Sequence, residues 1–409
     1  MTSPQRIVII GSGLAGGSAA AALRERGYDG GVTIIGNDPN PPYELPALSK
    51  QILLGDAEEP DWVRPKEFWA EHDIELVSGA TATAVRLGNR VVVDDKGTEH
   101  PYDRLLLATG SAPRSLPVPG ADLDGLRTLR TLDDSRALRD LLTEGTKVVI
   151  VGAGWIGCEA AAAARKHGAD VTVIDPLPLP LHRSMGDECA EVFRDLHAEN
   201  GVSWRLGVGV EGFTGEGTVS GVRLAGGETL KADLVLVAVG AAPRLELAKA
   251  AGLELSDSVA GGGVDVDSAL RTSAPDVCAA GDITAHYHPR YERRIRVEHW
   301  ANAKDQGTHV AGTLLGETTP YTKTPYFFSD QYDLGMEVRG LANPFTDELV
   351  VRGDLKAREF TAFWLRAGKV LAAMNVNMWD DGEALQALVD GDMTVTADQL
   401  TGAELSSLV

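Results

Sequence analysis

The chain has 409 residues, which at roughly 150 residues per domain argues for two to three domains. Its 38 Lys and Arg against 59 Asp and Glu leave a net charge of −21. A field of that sign repels phosphate, so neither nucleic acid nor an anionic membrane surface is expected as the main partner. Hydrophobic residues at 44% and charged ones at 24% are globular proportions, not those of a disordered chain. Cys158, Cys189 and Cys278 form no CxxC pair, and their spacing gives neither a zinc cage nor a disulfide framework. The first residues lack the charged and apolar regions of a signal peptide, and no apolar run reaches about 18 residues. A soluble, cytoplasmic protein is expected.

In chain order, the first predicted strand is Ile7-Val8-Ile9-Ile10. It runs into Gly11-Ser12-Gly13-Leu14-Ala15-Gly16 and an Ala-rich helical stretch to Arg26. A second β-branched run, Val32-Thr33-Ile34-Ile35, leads to Asn37 and Asp38. Thr81 to Arg104 alternates apolar and polar residues, which predicts a small antiparallel sheet. Leu105-Leu106-Leu107 then feeds Ala108-Thr109-Gly110, with Pro113-Arg114 just beyond. The same grammar returns further on. Val148-Val149-Ile150-Val151 leads into Gly152-Ala153-Gly154-Trp155-Ile156-Gly157, a helix over Ala160 to Lys166, and Val171-Thr172-Val173-Ile174 ending at Asp175. Leu234 to Val239 closes on Gly240, again with a following Pro243-Arg244. Short apolar strands alternating with helices indicate βαβ units and parallel sheets buried on both faces.

Val277-Cys278-Ala279-Ala280-Gly281-Asp282 is one more strand-to-turn element, far beyond the second glycine motif. The first domain is therefore expected to be interrupted by the second and completed after it. From Tyr321 the pattern changes. Tyr326-Phe327-Phe328, Leu349-Val350-Val351, Phe360 to Trp364 and Val370 to Met374 predict antiparallel strands, with a helix near Gly382 to Val389. Residues 370 to 409 hold seven acids and no Lys or Arg.

One GxGxxG motif is a weak signal, but two, each between a strand and a helix, are a strong one. The glycines allow a tight turn and let backbone approach a pyrophosphate, which the helix N-terminus then holds. A carboxylate about 20 residues on should accept hydrogen bonds from a ribose. Asp38 and Asp175 stand there. Pro176-Leu177-Pro178 follows Asp175 with no adjacent cation for a 2′-phosphate, which favours NADH over NADPH. Arg183 is the cation whose folding back would change that. His286-Tyr287-His288 lacks a third ligand at sensible spacing and reads as a solvated loop, not a metal site. No metal is expected, and Cys158 reads as a small apolar residue.

Further segments carry a resemblance: Pro42-Tyr43-Glu44-Leu45-Pro46-Ala47-Leu48-Ser49-Lys50, Leu107 to Gly110, Gly152 to Glu159 and Ala280-Gly281-Asp282. Arg296 to Ala303 and Phe328-Ser329-Asp330-Gln331-Tyr332 complete the set. Over almost its whole length the chain resembles the FAD-dependent NADH:ferredoxin reductases of cytochrome P450 and ring-hydroxylating dioxygenase systems, within the pyridine nucleotide-disulfide oxidoreductase superfamily. The resemblance implies an α/β fold with two Rossmann-like dinucleotide-binding domains, as in glutathione reductase, and a C-terminal α+β domain. The corresponding bounds are 1–112 and 244–319 for the FAD domain, 113–243 for the NADH domain and 320–409 for the C-terminal interface domain.

It also implies site residues. Gly11, Gly13, Leu14, Ala15 and Gly16, with Asn37 or Asp38, Ala108, Thr109 and Gly110, would hold FAD. Gly281, Asp282, Glu298, His299 and Trp300 would complete that site. Gly152, Gly154, Trp155, Ile156, Gly157, Asp175, Arg183 and Gly240 would take NADH. Lys50 and Glu159 are implied as the catalytic pair beside flavin N5, where an ammonium group stabilises developing negative charge. The bland alternative is a solvated lysine and a glutamate favoured by the helix dipole. Trp300 and Phe328 read equally as flavin neighbours or as core.

Residues 1–157 contain no cysteine, which excludes thiol chemistry beside the flavin, so electrons must leave the flavin directly. A [2Fe–2S] ferredoxin, feeding a P450 or dioxygenase, is the acceptor the resemblance implies. Rubredoxin, a quinone, or a redox-sensing role like that of apoptosis-inducing factor stand as alternatives. An acidic ferredoxin would need a local basic patch. Arg290, Arg293, Arg294 and Arg296 are candidates, with Arg114, Arg127 and Arg130, against the reading that these arginines hold structure together.

Overall fold

A computed structural model describes residues 4–409. By contact density the chain divides into two compact units. The first comprises the chain up to Pro46, Pro60–Ala112 and Ala241–Lys323; the second comprises Ala47–Glu59, Pro113–Gly240 and Thr324–Val409.

The first unit is built on a five-stranded parallel sheet in the order Val277–Ala279, Arg104–Leu107, Arg6–Ile10, Gly31–Gly36, Ile74–Ser78. Its outermost strand comes from beyond the whole second glycine motif, pairing Val277 with Leu105 and Ala279 with Leu107. Ile7, Ile9, Ile34 and Leu105 to Leu107 are almost fully buried, as expected of strands covered on both faces. One covering helix, Leu14–Glu25, crosses a second, Trp300–Leu314. Gly307 permits that crossing, because a Cβ there would lie 2.3 Å from the Ala15 carbonyl oxygen. A three-stranded antiparallel sheet spans Ala82–Arg86, Val91–Asp94 and Glu99–Pro101.

The second unit repeats the plan. Its parallel sheet runs Ser203–Leu206, Asp170–Asp175, Lys147–Val151, Leu234–Val237, Leu126–Arg127. The segment after Thr324 belongs to this unit as a five-stranded antiparallel sheet, in the order Tyr326–Gln331, Leu334–Gly340, Lys369–Val376, Glu359–Arg366, Glu348–Asp354. The helix Gly382–Asp390 packs on it through Leu385, Leu388 and Val389.

The expected solvated loop at His286-Tyr287-His288 is not formed. These residues end the strand Thr284–His288, and both histidines are essentially inaccessible to solvent. Tyr321, distant in sequence, packs edge-on against His286 and is itself backed by His309, while Tyr291 lies against His288. Burial displaces the His286 imidazole pKa down to about 3.

Candidate functional site

Both glycine motifs have nearly the same geometry. Gly11 sits at φ +120°, where a Cβ would strike the Ala108 carbonyl oxygen; Gly152 sits at φ +109° against Ala238 in the same way. At Gly16 a Cβ would lie 2.0 Å from the Gly11 oxygen, and at Gly157 2.0 Å from the Gly152 oxygen. Gly13 and Gly154 behave differently. Their φ values, −78° and −80°, suit any residue, and a Cβ would meet nothing within 4 Å. Neither backbone conformation nor a protein neighbour demands glycine there. Open space at the N-cap of a 12-residue helix without a side-chain cap is what a bound pyrophosphate requires. The residues present fit a dinucleotide in each unit.

The ribose acids are tied into their own loops. Asp38 accepts from the Asn40 backbone N–H, the Asn40 amide and the Tyr43 hydroxyl, at 2.8 to 2.9 Å. Asn37 is exposed. Asp175 accepts from the Ala153 N–H and the Leu177 N–H, both at 2.8 Å, which pins the strand end to the glycine turn. Each carboxylate keeps free lone pairs beyond these contacts. Arg183 is exposed in the first turn of His182–Glu199.

In the first unit, Thr109 donates through its hydroxyl to the Arg244 carbonyl oxygen at 3.1 Å, and the Arg244 N–H donates to Gly110 at 2.9 Å. Ser111, which sequence reasoning missed, donates to Asp282 at 2.9 Å and lies 3.3 Å from a Glu298 carboxylate oxygen. Glu298 in turn pairs with Arg296. The Gly281 N–H donates to Gln306 Oε1 at 2.8 Å, fixing the turn that carries Asp282. Burial depresses the His299 imidazole pKa to about 4. The Trp300 indole N–H donates to Glu44 at 2.7 Å, and Lys304 Nζ lies 4.8 Å from its ring centre.

The second unit brings Lys50 and Glu159 together at 2.7 Å, with only 8% and 6% of their surfaces exposed. The solvated-lysine reading is thereby excluded. Glu159 also accepts from the Ser49 hydroxyl at 2.5 Å and from the Ser329 hydroxyl at 2.6 Å. Lys50 Nζ lies 5.1 Å from the centre of the Phe328 ring. Trp155 packs on Phe327 at 4.6 Å between ring centres. Ile156, next in the helix, is 43% exposed. Ser49 and Ser329 escaped sequence reasoning because an isolated serine carries no pattern. The Cys158 thiol is fully buried and its pKa is pushed up by burial, as befits an inert packing residue.

Arg294 and Arg296, both candidate docking arginines, are engaged within the first unit. Arg294 pairs with Asp265 at 2.5 Å and donates to the Val266 and Ala285 carbonyl oxygens. Arg296 donates twice to the Ala260 oxygen besides pairing with Glu298. Arg293, Arg114 and Arg127 are exposed. No group of three or more His, Cys, Asp or Glu able to hold a metal occurs among the described residues. No helix among them is long and apolar enough to cross a membrane.

Paired dinucleotide cradles of this form define a class, and the comparison with family models agrees. Residues 5–307 match the pyridine nucleotide-disulphide oxidoreductase model and residues 326–407 the reductase C-terminal model. The chain belongs to the pyridine nucleotide-disulphide oxidoreductase family. Among individual proteins it is similar to rhodocoxin reductase of Rhodococcus erythropolis, with 37% identity covering 96% of this chain and 91% of that protein. It is likewise similar to putidaredoxin reductase of Pseudomonas putida, with 35% identity covering 92% of this chain and 90% of that protein. The reductase in the covalent putidaredoxin reductase–putidaredoxin complex superposes with a TM-score of 0.93 at 33% identity, covering 100% of this chain and 98% of that one.

Proposed function

We propose that the protein is an FAD-dependent NADH:ferredoxin reductase that supplies electrons to a P450 or dioxygenase system through a [2Fe–2S] ferredoxin. The observation that carries this reading is the pair of glycine cradles, each with an N-cap glycine that no protein contact explains, combined with relatives named as ferredoxin reductases over more than nine-tenths of the chain. The net reaction takes one NADH and two oxidised ferredoxins to NAD⁺, two reduced ferredoxins and a proton.

A bound flavin supplies the conversion of a hydride into two single electrons. The chain's own residues bind and orient. Gly11, Gly13 and Gly16, with Asp282, hold FAD; Gly152, Gly154, Gly157 and Asp175 hold NADH. Lys50 presents its ammonium group at Nζ toward developing negative charge, and Glu159 aims that group while keeping it charged. NADH is preferred to NADPH, because a 2′-phosphate would meet the Asp175 carboxylate. With its three cysteines as buried free thiols, the protein belongs in a reducing compartment, the cytoplasm.

The test is an acceptor panel on purified holoprotein with NADH. The reading requires kcat/KM for a [2Fe–2S] ferredoxin to exceed that for rubredoxin and for a quinone by about tenfold or more, a discrimination equivalent to about 1.4 kcal/mol. Equal or faster turnover with a quinone would transfer the assignment to a different acceptor class.

A further inference from the structure

Behind the buried ion pair lies a row of polar side chains that the proposed reaction does not use. Ser329 Oγ lies 2.6 Å from Glu159 Oε1, Gln331 Nε2 3.1 Å from Ser329 Oγ, and His197 Nε2 2.8 Å from Gln331 Oε1. Tyr332 Oη makes a long contact of 3.5 Å with His197 Nδ1. Ser329, Gln331 and His197 are each at most 1% exposed. The donors in such a row are set by one end. An ionised carboxylate only accepts, so the single Ser329 proton must point at Glu159. Ser329 then needs a donor behind it, which the Gln331 amide supplies, leaving the amide oxygen to face His197. An amide oxygen also only accepts, so His197 must carry its proton on Nε2, and Nδ1 is left to accept from Tyr332. Turning the Gln331 amide over would leave the single Ser329 proton facing two acceptor oxygens, so that one of the contacts at 2.6 and 3.1 Å would hold no proton.

We infer that Tyr332, His197, Gln331 and Ser329 form a one-way hydrogen-bond chain that terminates on Glu159 and holds the Lys50–Glu159 pair in its charged, aligned state. The four are positioning residues, since they act on Lys50 through Glu159. Every bond runs toward the carboxylate, so each polarises the next in the same sense. Burial keeps the His197 imidazole neutral, its pKa depressed to about 4, as the Nε2–H tautomer requires. The other titratable groups around this row are Lys50 and Asp330, whose carboxyl burial pushes up. The Cys158 thiol, and Arg165 near Tyr332, complete them. Of these, Lys50 itself donates to Glu159 Oε1, the oxygen that also accepts from Ser329. The sequence hides the chain because its members come from a long helix and one edge of the C-terminal sheet, 134 residues apart at the His197–Gln331 link.

The catalytic consequence of this chain rests on the role proposed above for Lys50, whereas its effect on the ion pair does not. The experiment therefore reads the pair first. Competitive acetylation of Lys50 in the holoprotein is followed by mass spectrometry, with exposed Lys356 as internal reference. Lys50 should acetylate about tenfold faster in Ser329→Ala, and faster by a smaller factor in Gln331→Met and His197→Leu, because losing donors to the carboxylate weakens its hold on the ammonium group. His197→Gln, which can replace the Nε2 donor, should stay near the parent rate. Nitrogen-15 NMR of the imidazoles should show His197 neutral and protonated on Nε2 at pH 7. Unchanged Lys50 reactivity in both Ser329→Ala and Gln331→Met, with melting temperatures near the parent's, overturns the inference, as does a His197 protonated on Nδ1. If Lys50 reactivity rises but flavin reduction by NADH keeps its rate, the chain stands and the role proposed for Lys50 falls.

Discussion

An ammonium group taken out of water costs several kcal/mol unless a carboxylate and further donors compensate both partners. Lys50 and Glu159 meet that condition through the Ser49 and Ser329 hydroxyls. Removing one partner alone should be far worse than removing both. Glu159→Leu is expected to cost about 3 kcal/mol in urea unfolding, with Lys50→Met/Glu159→Leu recovering most of that loss. In stopped-flow mixing with NADH, Lys50→Met should slow flavin reduction by about 10²-fold, with NADH affinity unchanged, if the ammonium group acts only as charge develops. The buried histidines give a second prediction at this scale. His197 has its pKa lowered to about 4 by burial and His286 to about 3. Both bind protons more readily unfolded than folded, so their stabilising contribution is complete above about pH 6.5 and declines as pH falls toward 4. For His197 the full loss is about 3 kcal/mol. Urea midpoints measured from pH 7 to 4 should fall, and the fall should be shallower in His197→Gln.

The strand–turn–helix elements were legible because their glycines are compelled by backbone contacts that any such turn repeats. Gly16→Ala should yield protein lacking flavin, since a Cβ would lie 2.0 Å from the Gly11 oxygen. Gly157→Ala should retain flavin but lose NADH binding in titrations. Gly154→Ala is the more pointed case: it meets no protein atom within 4 Å, so the fold and its melting temperature should be kept while NADH affinity drops. Elsewhere the pattern was silent or misleading. The helix Trp300–Leu314 is hidden in the sequence because the buried face of its first two turns is small and polar, Ala301, Asn302, Gln306 and Gly307, and apolar residues join it only from Val310 on. Leu334–Gly340 was missed because Met336, Glu337 and Arg339 break the β-branched signature. The burial of His286 and His288 leaves no local signal, because Tyr321 and the Lys323 carbonyl oxygen that meet them are brought in by tertiary folding. Lys50 and Glu159 were named through a resemblance. Their serine partners, 110 and 170 residues from Glu159, had no local signal at all.

On the scale of the whole molecule, a net charge of −21 opposes an acidic partner. Arg294 and Arg296 are committed to Asp265, Glu298 and backbone oxygens, whereas Arg293 is exposed and is the candidate to test for electrostatic docking. Charge reversal at Arg293 should therefore weaken ferredoxin reduction while leaving ferricyanide reduction unchanged. Raising ionic strength from about 0.01 to 0.15 M shortens the screening length from about 30 to 8 Å and should slow the ferredoxin reaction selectively. A flat salt response would remove Arg293 from the docking surface.

The claim on which the account depends is that the first cradle retains a flavin which electrons from NADH leave one at a time. Anaerobic titration of the purified protein with NADH, in the presence of excess [2Fe–2S] ferredoxin, measures this directly. The account predicts one tightly held FAD per chain and two ferredoxins reduced for each NADH consumed. A protein that purifies colourless and takes up no flavin on reconstitution, or that consumes NADH without reducing ferredoxin, would contradict it.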